Sequence, residues 1–374
     1  MKLIYIANAR IPTEKAHGIA IARSCEAFAR SGVETELIVP RRRTPFQTDL
    51  FETYHVERNF LVRFLPTIDL IREKAGRFVF VLQTLTFFVS SLLFLLFRKS
   101  RDTLLYTRDP GFISLSRLGF RVVFECHLIP KNRTRFFSRA RHAHKIIVIS
   151  GALKEVFVSA GFSPDAILIA PSGVDLSVFD IETSKEEARK KVDLPLDAKI
   201  AVYTGNFTTM GEDKGISDII KALPSAPEIL FVAAGGGDAD RARYVAEAST
   251  AGVLGRVILR GHAPQKMLAL YQKAADVLLM PFPDTPHYRN HMSPVKMFEY
   301  MASKRPILAS DLPTIREVLH EQNALIVPPG NLQAIAKILN DIGDTKREAL
   351  AEHAYRDVAE YSWQARTKKI LTWL

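Results

Sequence analysis

The sequence predicts an α/β protein with two doubly wound domains, each built on a parallel sheet. Short apolar segments alternate with longer segments of helical periodicity, and this alternation is typical of consecutive βαβ units. It runs through the first half of the chain, is interrupted over residues 181–196, and then begins again. The 374 residues are too many for one ordinary core and suit two domains of about 180 residues each.

The first domain is predicted over residues 1–180. The segment 19–31 is an amphipathic helix that Gly32 closes. The loop before it, 8–18, is long for a strand-to-helix turn, and ligands bind at such loops in open α/β sheets. The strands of this domain are predicted at 2–7, 34–39, 59–64, 103–107, 121–126, 145–149 and 167–170.

The second domain is predicted over residues 197–354. The segment 181–196 is charged and has no apolar run, so it is predicted to be a linker, and the end of the chain, about 355–374, is predicted to be a helix that packs back on the first domain. Strands are predicted at 199–204, 229–234, 256–260, 276–280, 306–310 and 324–327. Helices are predicted near 215–222, 239–250, 264–273, 295–303, 313–319 and 331–342.

Composition excludes a disordered chain, because 47% of the residues are apolar and 24% are charged. Cys25 and Cys126 lie in apolar segments without metal-ligand spacing, which predicts buried free thiols in a reducing compartment. The first strand follows Met1 and Lys2 directly, so no signal peptide is predicted. These features together predict a cytoplasmic protein.

The net charge of +11 is concentrated in the first domain. Residues 1–180 hold 26 Lys and Arg against 16 Asp and Glu, whereas residues 181–374 hold 25 against 24. Such a field attracts phosphates on anionic lipid or a pyrophosphate-linked substrate, and the alternative is a generally basic surface. No nucleic-acid-binding signature accompanies the charge, so no nucleic acid partner is predicted. The excess is densest at Arg41–Arg43, Lys131, Arg133, Arg135, Arg139 and Arg141.

Residues 78–97 are 20 residues without a charge, and a helix of that length spans about 30 Å, the thickness of a bilayer core. Against a span, Leu104–Tyr106 must join the same sheet as Leu3–Ala7. The main alternatives are therefore a buried core helix and one partly exposed for in-plane membrane contact, with a span the least supported. The basic residues Arg98, Lys99 and Arg101 follow the helix. Seven-residue spacing also predicts one polar face, formed by Arg77, Thr84, Ser91 and Arg98 with Gln83 and Ser90 beside it.

The segment 293–319, SPVKMFEYMASKRPILASDLPTIREVL, contains the most informative motif. Ser293 and Pro294 lead into a helix, whose free N–H groups and positive dipole end form an anion site that suits phosphate. Glu299 lies about one turn further on, where a carboxylate accepts hydrogen bonds from the vicinal hydroxyls of a sugar. The motif predicts a nucleotide or nucleotide-sugar site, and the alternative is a capped helix with a solvated carboxylate.

This segment resembles the donor-site signature of family-four retaining glycosyltransferases, which have the GT-B fold of two Rossmann-like domains facing an interdomain cleft. In that family two Glu residues, separated by seven others, bracket the donor sugar and ribose. Glu299 matches the second, while His291 stands where the family has the first. The run Ser-Pro-x-Lys-x-x-Glu-Tyr-Met-Ala at 293–302 is similar to one sub-branch of the family.

The resemblance implies that the second domain binds the diphosphate of the donor. A glycine after a strand lets the backbone approach a phosphate, and a lysine at a helix start adds charge to the dipole. The family often has an arginine near Asn206; without it, Lys214 carries more of that role, and Lys296 is the second cation. The implied donor-binding residues are Gly18, Gly205, Asn206, Lys214, Gly236, Arg260, His262, His291, Ser293, Pro294, Val295, Lys296 and Glu299.

In the first domain, His127 follows a predicted strand and is the main candidate. A lone histidine at a strand end is often structural, but this one resembles the family histidine expected to contact the donor sugar near its reacting carbon. Arg108, Glu125 and His17 are placed on the acceptor side, with a surface ion pair as the alternative for Arg108. The residues predicted to carry catalysis are His127, Lys214 and Glu299.

The resemblance implies a glycosyltransferase that uses a nucleotide-diphosphate sugar, with UDP-sugar first and GDP-sugar second, and retains anomeric configuration. No Asp-x-Asp pair lies at a predicted strand end with the surroundings expected of a metal-bound diphosphate, and no His/Cys cluster has zinc spacing, so metal-independent transfer without a cofactor is predicted. The expected acceptor is a glycan or lipid-linked glycan of cell-surface synthesis, met in the cytoplasm or at the inner membrane face. The alternatives are a nucleotide-sugar epimerase, a non-catalytic nucleotide-sugar-binding subunit and, least supported, a dehydrogenase.

Overall fold

Both predicted parallel sheets are present, one in each of two units. The computed structural model describes residues 1–13, 15–70, 76–98, 102–209, 211–341 and 346–374. Unit 1 comprises Met1–Ser172 with Trp363–Leu374, and unit 2 comprises Gly173–Ser362. The predicted fold class, two parallel-sheet α/β domains, is confirmed.

Unit 1 is built on a seven-stranded parallel sheet with the order β3-β2-β1-β4-β5-β6-β7. Its strands are β1 Lys2–Ile6, β2 Glu34–Pro40, β3 Leu61–Leu65, β4 Thr103–Thr107, β5 Arg121–Cys126, β6 Lys145–Val148 and β7 Ile167–Ile169. Its helices are α1 Ala16–Arg30, α2 Leu50–Tyr54, α3 Arg77–Leu96, α4 Arg133–Ala140, α5 Gly151–Ser159 and α16 Trp363–Trp373, with 3-10 helices Pro110–Leu118 and Pro164–Ala166.

Alternating side chains bury both faces of this sheet, because successive residues of a strand point to opposite sides. Tyr5 lies on the face covered by α1, α2 and α16, where it shares a core with Phe28 and Ile370. Ile6 lies on the opposite face, where it packs with Phe87 of α3. The second face also carries the 3-10 helix Pro110–Leu118, α4 and α5.

Unit 2 is built on a six-stranded parallel sheet with the order β12-β11-β8-β13-β14-β15 and a separate hairpin, β9-β10. Its strands are β8 Lys199–Thr204, β9 Thr208–Thr209, β10 Glu212–Asp213, β11 Ile229–Ala234, β12 Val257–Arg260, β13 Val277–Met280, β14 Ile307–Ser310 and β15 Leu325–Val327.

Ten α-helices and three 3-10 helices among the described residues belong to unit 2. The α-helices are α6 Leu176–Phe179, α7 Lys185–Lys191, α8 Ile216–Ala222, α9 Asp238–Thr250, α10 Gln265–Ala274, α11 Pro286–Asn290, α12 Val295–Ala302, α13 Pro313–Arg316, α14 Leu332–Asn340 and α15 Lys346–Asp357. The 3-10 helices are Leu223–Ser225, Leu254–Arg256 and Val358–Tyr361.

The region predicted to be a linker contains a helix, which the sequence did not predict. Within 181–196 the structure has the helix α7, whose first turn is closed by a capping box between Ser184 and Glu187. Ala188 and Val192, four residues apart, are buried in the core of unit 2. Two apolar positions were too few to reveal this helix in a charged segment. Unit 2 also begins at Gly173, before the predicted boundary at 180.

The apolar helix predicted over 78–97 is α3, and it is not a buried core helix. Only 22% of the segment Phe78–Leu96 is buried. By length and by its mean hydropathy of 2.2, this segment is also apolar enough to cross a membrane. Part of the predicted polar face is turned inward, since Gln83 and Ser91 are buried. The basic residues Lys99 and Arg101 lie outside the described residues. Cys25 and Cys126 are buried free thiols, as predicted.

Candidate functional site

Two glycine turns meet at the carboxyl ends of β8 and β11. Gly205 has a φ of +98° and Gly235 a φ of +123°, a range that favours glycine. A Cβ on Gly235 would lie 2.7 Å from the backbone of Gly205, and one on Gly236 would lie 2.1 Å from the ring of Phe207. The glycines at 205, 235 and 236 therefore let two loops pack directly against each other at the end of the sheet where ligands bind in this class of fold.

Lys296, in the first turn of α12, points its ammonium group at the loop after β8. Only 9% of Lys296 is exposed, and its Nζ lies 3.4 Å from the centroid of the Tyr203 ring. A Cβ on Gly205 would lie 3.5 Å from this Nζ. Among the described residues Lys296 Nζ has no hydrogen-bond partner. A buried cation is thus held against an aromatic face, with none of its N–H donors satisfied.

A second ammonium group reinforces this positive charge. Burial lowers the pKa of Lys214 to about 8. Burial, together with the charge of Lys214, lowers the pKa of Lys296 well below its usual range. Both shifts have the direction expected for desolvated amines, and the charges of Asp240 and Glu299 offset them only in part. An anion bound beside them would supply the missing charge.

Glu299 lies one turn beyond Lys296 and is 8% exposed. Burial raises the pKa of Glu299 to about 7, against the opposing effects of Lys296 and a hydrogen bond from Gln272. Gln272 Nε2 lies 3.4 Å from Glu299 Oε2 and 3.0 Å from Thr204 Oγ1. The backbone N–H of Thr204 donates in turn to the Tyr300 hydroxyl at 2.8 Å. This network fixes the carboxyl group relative to the end of β8.

The structure brings together Gly205, Gly236, Lys296 and Glu299 from the predicted donor residues, and it adds three that the sequence did not indicate. Tyr203 had no signal beyond apolar periodicity, and Tyr300 belonged to the run at 293–302 without a predicted role. Gln272 had a weak one, because it is a polar residue on the buried face of α10. The three added residues are Tyr203, Gln272 and Tyr300.

Several further predicted donor residues lie at other strand and helix ends of unit 2. Arg260 and His262 are exposed at the end of β12, the edge strand, and Asn206 is exposed beside Gly205. His291 ends α11, where its N–H donates to the carbonyl of His287 at 2.9 Å. Their predicted roles stay predictions. Ser293, Pro294 and Val295 form the entry to α12, and no side chain caps that helix.

Unit 1 holds a second cluster, centred on Glu125 at the end of β5. Its carboxylate is fully buried and lies 2.9 Å from Arg108 Nη2 and 3.0 Å from Arg366 Nη2. The hydroxyl of Tyr106 donates to it, and His127 Nε2 lies 2.5 Å from Oε1. One carboxylate at the end of β5 is therefore contacted from three places: from β4 and the residue after it, from the residue that follows β5, and from α16.

The electrostatics of this cluster determine the state of His127. Burial opposes ionisation of Glu125, but Arg108 and Arg366 outweigh it and hold the pKa of that carboxyl well below its usual range. Burial and the charge of Arg108 lower the pKa of His127 to about 4. A neutral imidazole that donates from Nε2 to a carboxylate carries no proton on Nδ1. His127, which is 34% exposed, therefore offers Nδ1 as a hydrogen-bond acceptor.

At the start of α1, Gly18 has a packing role that the sequence did not indicate. A Cβ there would lie 2.3 Å from the hydroxyl of Tyr54 and 2.6 Å from Thr13. The Tyr54 hydroxyl accepts from Thr13 N at 2.6 Å, so this contact ties α2 to the loop before α1. His17 is exposed. Donor binding by Gly18 stays a prediction, as does the acceptor role of His17.

No group of three or more His, Cys, Asp or Glu side chains is placed to hold a metal ion in the part of the chain that the structure describes.

Two family models match the chain, one over most of each unit. Residues 198–344 match the model described as Glycosyl transferases group 1. Residues 18–178 match the model described as Glycosyltransferase Family 4. Lys214, Lys296 and Glu299 lie in the first match, and the Glu125 cluster except for Arg366 lies in the second.

Curated relatives are glycosyltransferases. The chain is 29% identical over 214 residues to the putative teichuronic acid biosynthesis glycosyltransferase TuaC of Bacillus subtilis, covering 56% of this chain and 49% of that protein. It is 24% identical over 220 residues to the D-inositol 3-phosphate glycosyltransferase of Corynebacterium urealyticum, covering 55% and 50%. The chain spans about half the length of the curated relatives it matches.

Solved structures share the fold over the whole chain. Sucrose-phosphate synthase from Thermosynechococcus elongatus superposes with a TM-score of 0.79 at 20% identity, covering 99% of this chain and 97% of that one. Anabaena HepE, solved in complex with UDP and glucose, superposes with a TM-score of 0.75 at 16% identity, covering 100% and 98%. These structures have the GT-B fold. The two matches, one on each unit, support a family-four glycosyltransferase, and the fold is that of the GT-B glycosyltransferases.

Proposed function

We propose that the protein transfers a sugar from a nucleotide-diphosphate sugar to a glycan or lipid-linked glycan, in the synthesis of a cell-surface polysaccharide or glycolipid. One observation carries the proposal. Lys296 Nζ is buried without a hydrogen-bond partner among the described residues, at the end of β8 where the two glycine loops meet. A buried unpaired charge destabilises a folded protein, so its presence is consistent with binding an anion.

The donor diphosphate lies, in this proposal, between Lys214, Lys296 and the first turn of α12. Helix N–H groups and ammonium groups stabilise phosphate oxygens together. Glu299 accepts hydrogen bonds from the ribose hydroxyls, and Gln272 holds its carboxyl group in place. UDP is the first expected nucleotide and GDP the second; HepE, which shares the fold, was solved with UDP and glucose.

The proposed reaction retains anomeric configuration and uses no metal. The bond from the anomeric carbon to the diphosphate breaks, the acceptor oxygen bonds to that carbon on the same face, and the acceptor proton passes to the leaving diphosphate. Negative charge grows on the diphosphate as its bond breaks, and the two lysines stabilise that charge. His127 supplies the neutral Nδ1 acceptor for a hydroxyl of the sugar being transferred or of the acceptor.

We also propose that the acceptor is met at the inner face of the membrane. Unit 1 holds 29 Lys and Arg against 14 Asp and Glu, whereas unit 2 holds 22 against 26. A unit with this excess of positive charge attracts pyrophosphate-linked lipids and anionic headgroups. The relative TuaC is named for the biosynthesis of teichuronic acid, which favours a surface polysaccharide over a soluble product.

The proposal is tested by replacing Glu299 or Lys214 with alanine. Each change is expected to reduce kcat/KM at least about 100-fold, because Lys214 stabilises the leaving diphosphate and Glu299 holds the ribose of the donor. Circular dichroism is expected to show an intact fold. Exposed residues of the same unit, Glu348 and Lys221, give matched controls when each is replaced with alanine. Wild-type turnover by either site variant would contradict the assignment.

A thermal-shift screen against a panel of nucleotide sugars identifies the donor, because a specific ligand raises the melting temperature in proportion to its occupancy. The screen precedes the assays of the variants.

The second candidate function is a non-catalytic nucleotide-sugar-binding subunit, which His291 favours because it replaces a carboxylate. That protein would be stabilised by a donor and would transfer to no acceptor. An epimerase would instead convert its donor with no acceptor present.

Donor affinity is expected to be highest between about pH 7 and pH 8. Glu299 must be ionised to accept two hydroxyls, so affinity falls as the pH drops through its pKa of about 7. Lys214 must be charged, so affinity falls as the pH rises through its pKa of about 8. On the acid limb and on the alkaline limb of this profile, the affinity is expected to change about tenfold per pH unit, because one proton is involved in each. Calorimetric titration with UDP measures the profile.

Conservative variants separate the two limbs of this profile. Lys214→Arg keeps its charge at every pH, so the alkaline limb is expected to move upward. Glu299→Gln cannot ionise, so the acid limb is expected to disappear along with part of the affinity. A profile that stays flat between roughly pH 6 and pH 9 would show that neither group governs binding.

A further inference from the structure

Helix α3 turns an apolar stripe outward. Apart from Phe80, its exposed large side chains recur every three or four residues, so they lie on one side of the helix. They are between 46% and 77% exposed, far more than in an ordinary helix that packs on a sheet. This α3 stripe comprises Phe78, Val81, Leu85, Val89, Leu93 and Leu96.

The opposite side of α3 is buried and partly polar. Gln83, Phe87, Ser91 and Leu95 follow one another at four-residue intervals, and all are at most 1% exposed. Gln83 Nε2 donates to Asn8 Oδ1 at 2.9 Å. A helix that packs beside water has its polar side outward and its apolar side inward. In α3 the outward side is apolar, and the buried side combines Gln83 and Ser91 with Phe87 and Leu95.

Polar side chains on the flanks of α3 also form hydrogen bonds within unit 1. Thr84 donates to the carbonyl of Phe80 at 2.8 Å, and Ser90 donates to the carbonyl of Pro66 at 2.6 Å. Thr86 donates to the carbonyl of Leu82 at 3.0 Å. Hydroxyl groups satisfied in this way lose little when the surroundings are hydrocarbon, where unsatisfied polar groups are costly.

The loop after β3 extends the apolar surface. Ile68 and Leu70 are 44% and 57% exposed, and the backbone N–H of Ile68 donates to Thr86 Oγ1 of α3 at 3.2 Å. The exposed apolar area therefore spans both the helix and the neighbouring loop. A contiguous patch of this kind on a soluble surface indicates an interaction site.

Basic side chains flank this surface on the same face of the sheet. The 3-10 helix Pro110–Leu118 packs on α3 through Phe112. The centroids of the Phe112 and Phe87 rings are 5.5 Å apart. On its other side a pocket of about 250 Å³ contains three guanidinium groups. None of the three forms an ion pair with a carboxylate in the described ranges. The pocket is lined by Ser114, Arg117, Arg135, Ser138, Arg139 and His142.

We propose that unit 1 docks on an anionic lipid bilayer, with the α3 stripe lying in the plane of the interface and Arg117, Arg135 and Arg139 facing lipid phosphates. The stripe runs from Phe78 to Leu96, which is 19 of the 20 residues of α3, and this suits a helix lying at the boundary of headgroups and acyl chains. Anionic lipid supplies the charge that complements unit 1.

Two other arrangements agree less well with the same observations. A second copy of the chain would place one unit with 29 basic and 14 acidic residues against another, and like charges repel. A membrane-spanning α3 would separate β3 from β4, yet both strands belong to one sheet. An in-plane bilayer contact satisfies the apolar stripe, the charge and the sheet together.

Vesicle flotation of the full chain, without any sugar, tests the inference independently of the transferase assignment. The wild type is expected to float with vesicles of equal parts phosphatidylcholine and phosphatidylglycerol, and more weakly with phosphatidylcholine alone. Leu85→Gln combined with Leu93→Gln is expected to reduce binding at least about tenfold, because two buried leucine side chains are lost from the interface. Circular dichroism checks that the variant is folded.

Matched changes in unit 2 provide the control. Val245 and Leu254 are 43% and 45% exposed, so Val245→Gln combined with Leu254→Gln removes similar apolar surface and is expected to leave flotation unchanged. Arg117→Glu combined with Arg135→Glu is expected to abolish the preference for anionic vesicles. Wild type that does not float would overturn the inference, as would an α3 variant that floats equally well. Dimerisation that the α3 variant abolishes, without vesicle binding, would identify a second copy as the occupant.

Discussion

Replacing Lys296 with methionine is expected to abolish donor binding and to leave the protein at least as stable as the wild type. The ammonium group is buried against Tyr203 without a hydrogen-bond partner in the described part of the chain. Removing an unpaired buried charge relieves its desolvation cost, while methionine preserves the length of the side chain. The transition state loses a cation, so kcat/KM is expected to fall at least about 100-fold.

The combination of lower activity and unchanged or higher stability distinguishes a ligand-binding lysine from a structural one. Thermal unfolding and UDP titration of Lys296→Met measure the two quantities, and Lys221→Met, an exposed lysine of α8, is the control. Adding Asn206→Arg to Lys296→Met returns a cation to the loop beside Gly205 and is expected to restore part of the UDP affinity. A large loss of stability with normal UDP binding would show that Lys296 serves the fold alone.

Replacing Glu125 with glutamine is expected to destabilise unit 1 by about 3–5 kcal/mol, the range for removing one partner of a buried ion pair. Arg108 and Arg366 would then share a buried site with no carboxylate. The folded-state pKa of Glu125 lies well below its usual range. Its stabilisation is therefore complete above the pKa of the unfolded chain and is lost only as the pH falls through the folded value.

Tryptophan fluorescence measures the stability of unit 1 separately, because the two tryptophans of the chain, Trp363 and Trp373, both lie in α16. Urea unfolding followed by tryptophan emission thus reports on unit 1, while circular dichroism reports on both units. Glu34→Gln, which removes a carboxylate from an exposed pair with Lys2, is expected to change stability little. A fluorescence transition of Glu125→Gln that coincides with that of wild type would show that the cluster contributes nothing to folding.

The fold was largely predictable because parallel strands buried on both faces are continuous apolar runs. Every predicted strand is present within two residues of its predicted limits. Shorter elements escaped prediction for a physical reason. β9 and β10 have two residues each, too few to show a period, and α7 buries only Ala188 and Arg189 within its own length.

The candidate site was predictable where chemistry is local in sequence. Lys296 and Glu299 lie three residues apart at a helix start, and their residue types indicated the chemistry. Tyr203 and Gln272 reach the same place from other elements, and only packing shows that. The orientation of α3 was not predictable, because periodicity identifies two faces of a helix but does not say which of them packs on the sheet.

The ion pair between Glu125 and Arg366 joins residues 241 positions apart, and all of unit 2 lies between them in the chain. A ribosome therefore delivers the whole of unit 2 before it delivers the guanidinium that Glu125 requires. Until then Glu125 has Arg108 as its guanidinium partner, and the face of the sheet that α16 covers stays open. The segment made first is thus among the last to mature, and a nascent chain stalled inside unit 2 would depend on chaperones for its protection.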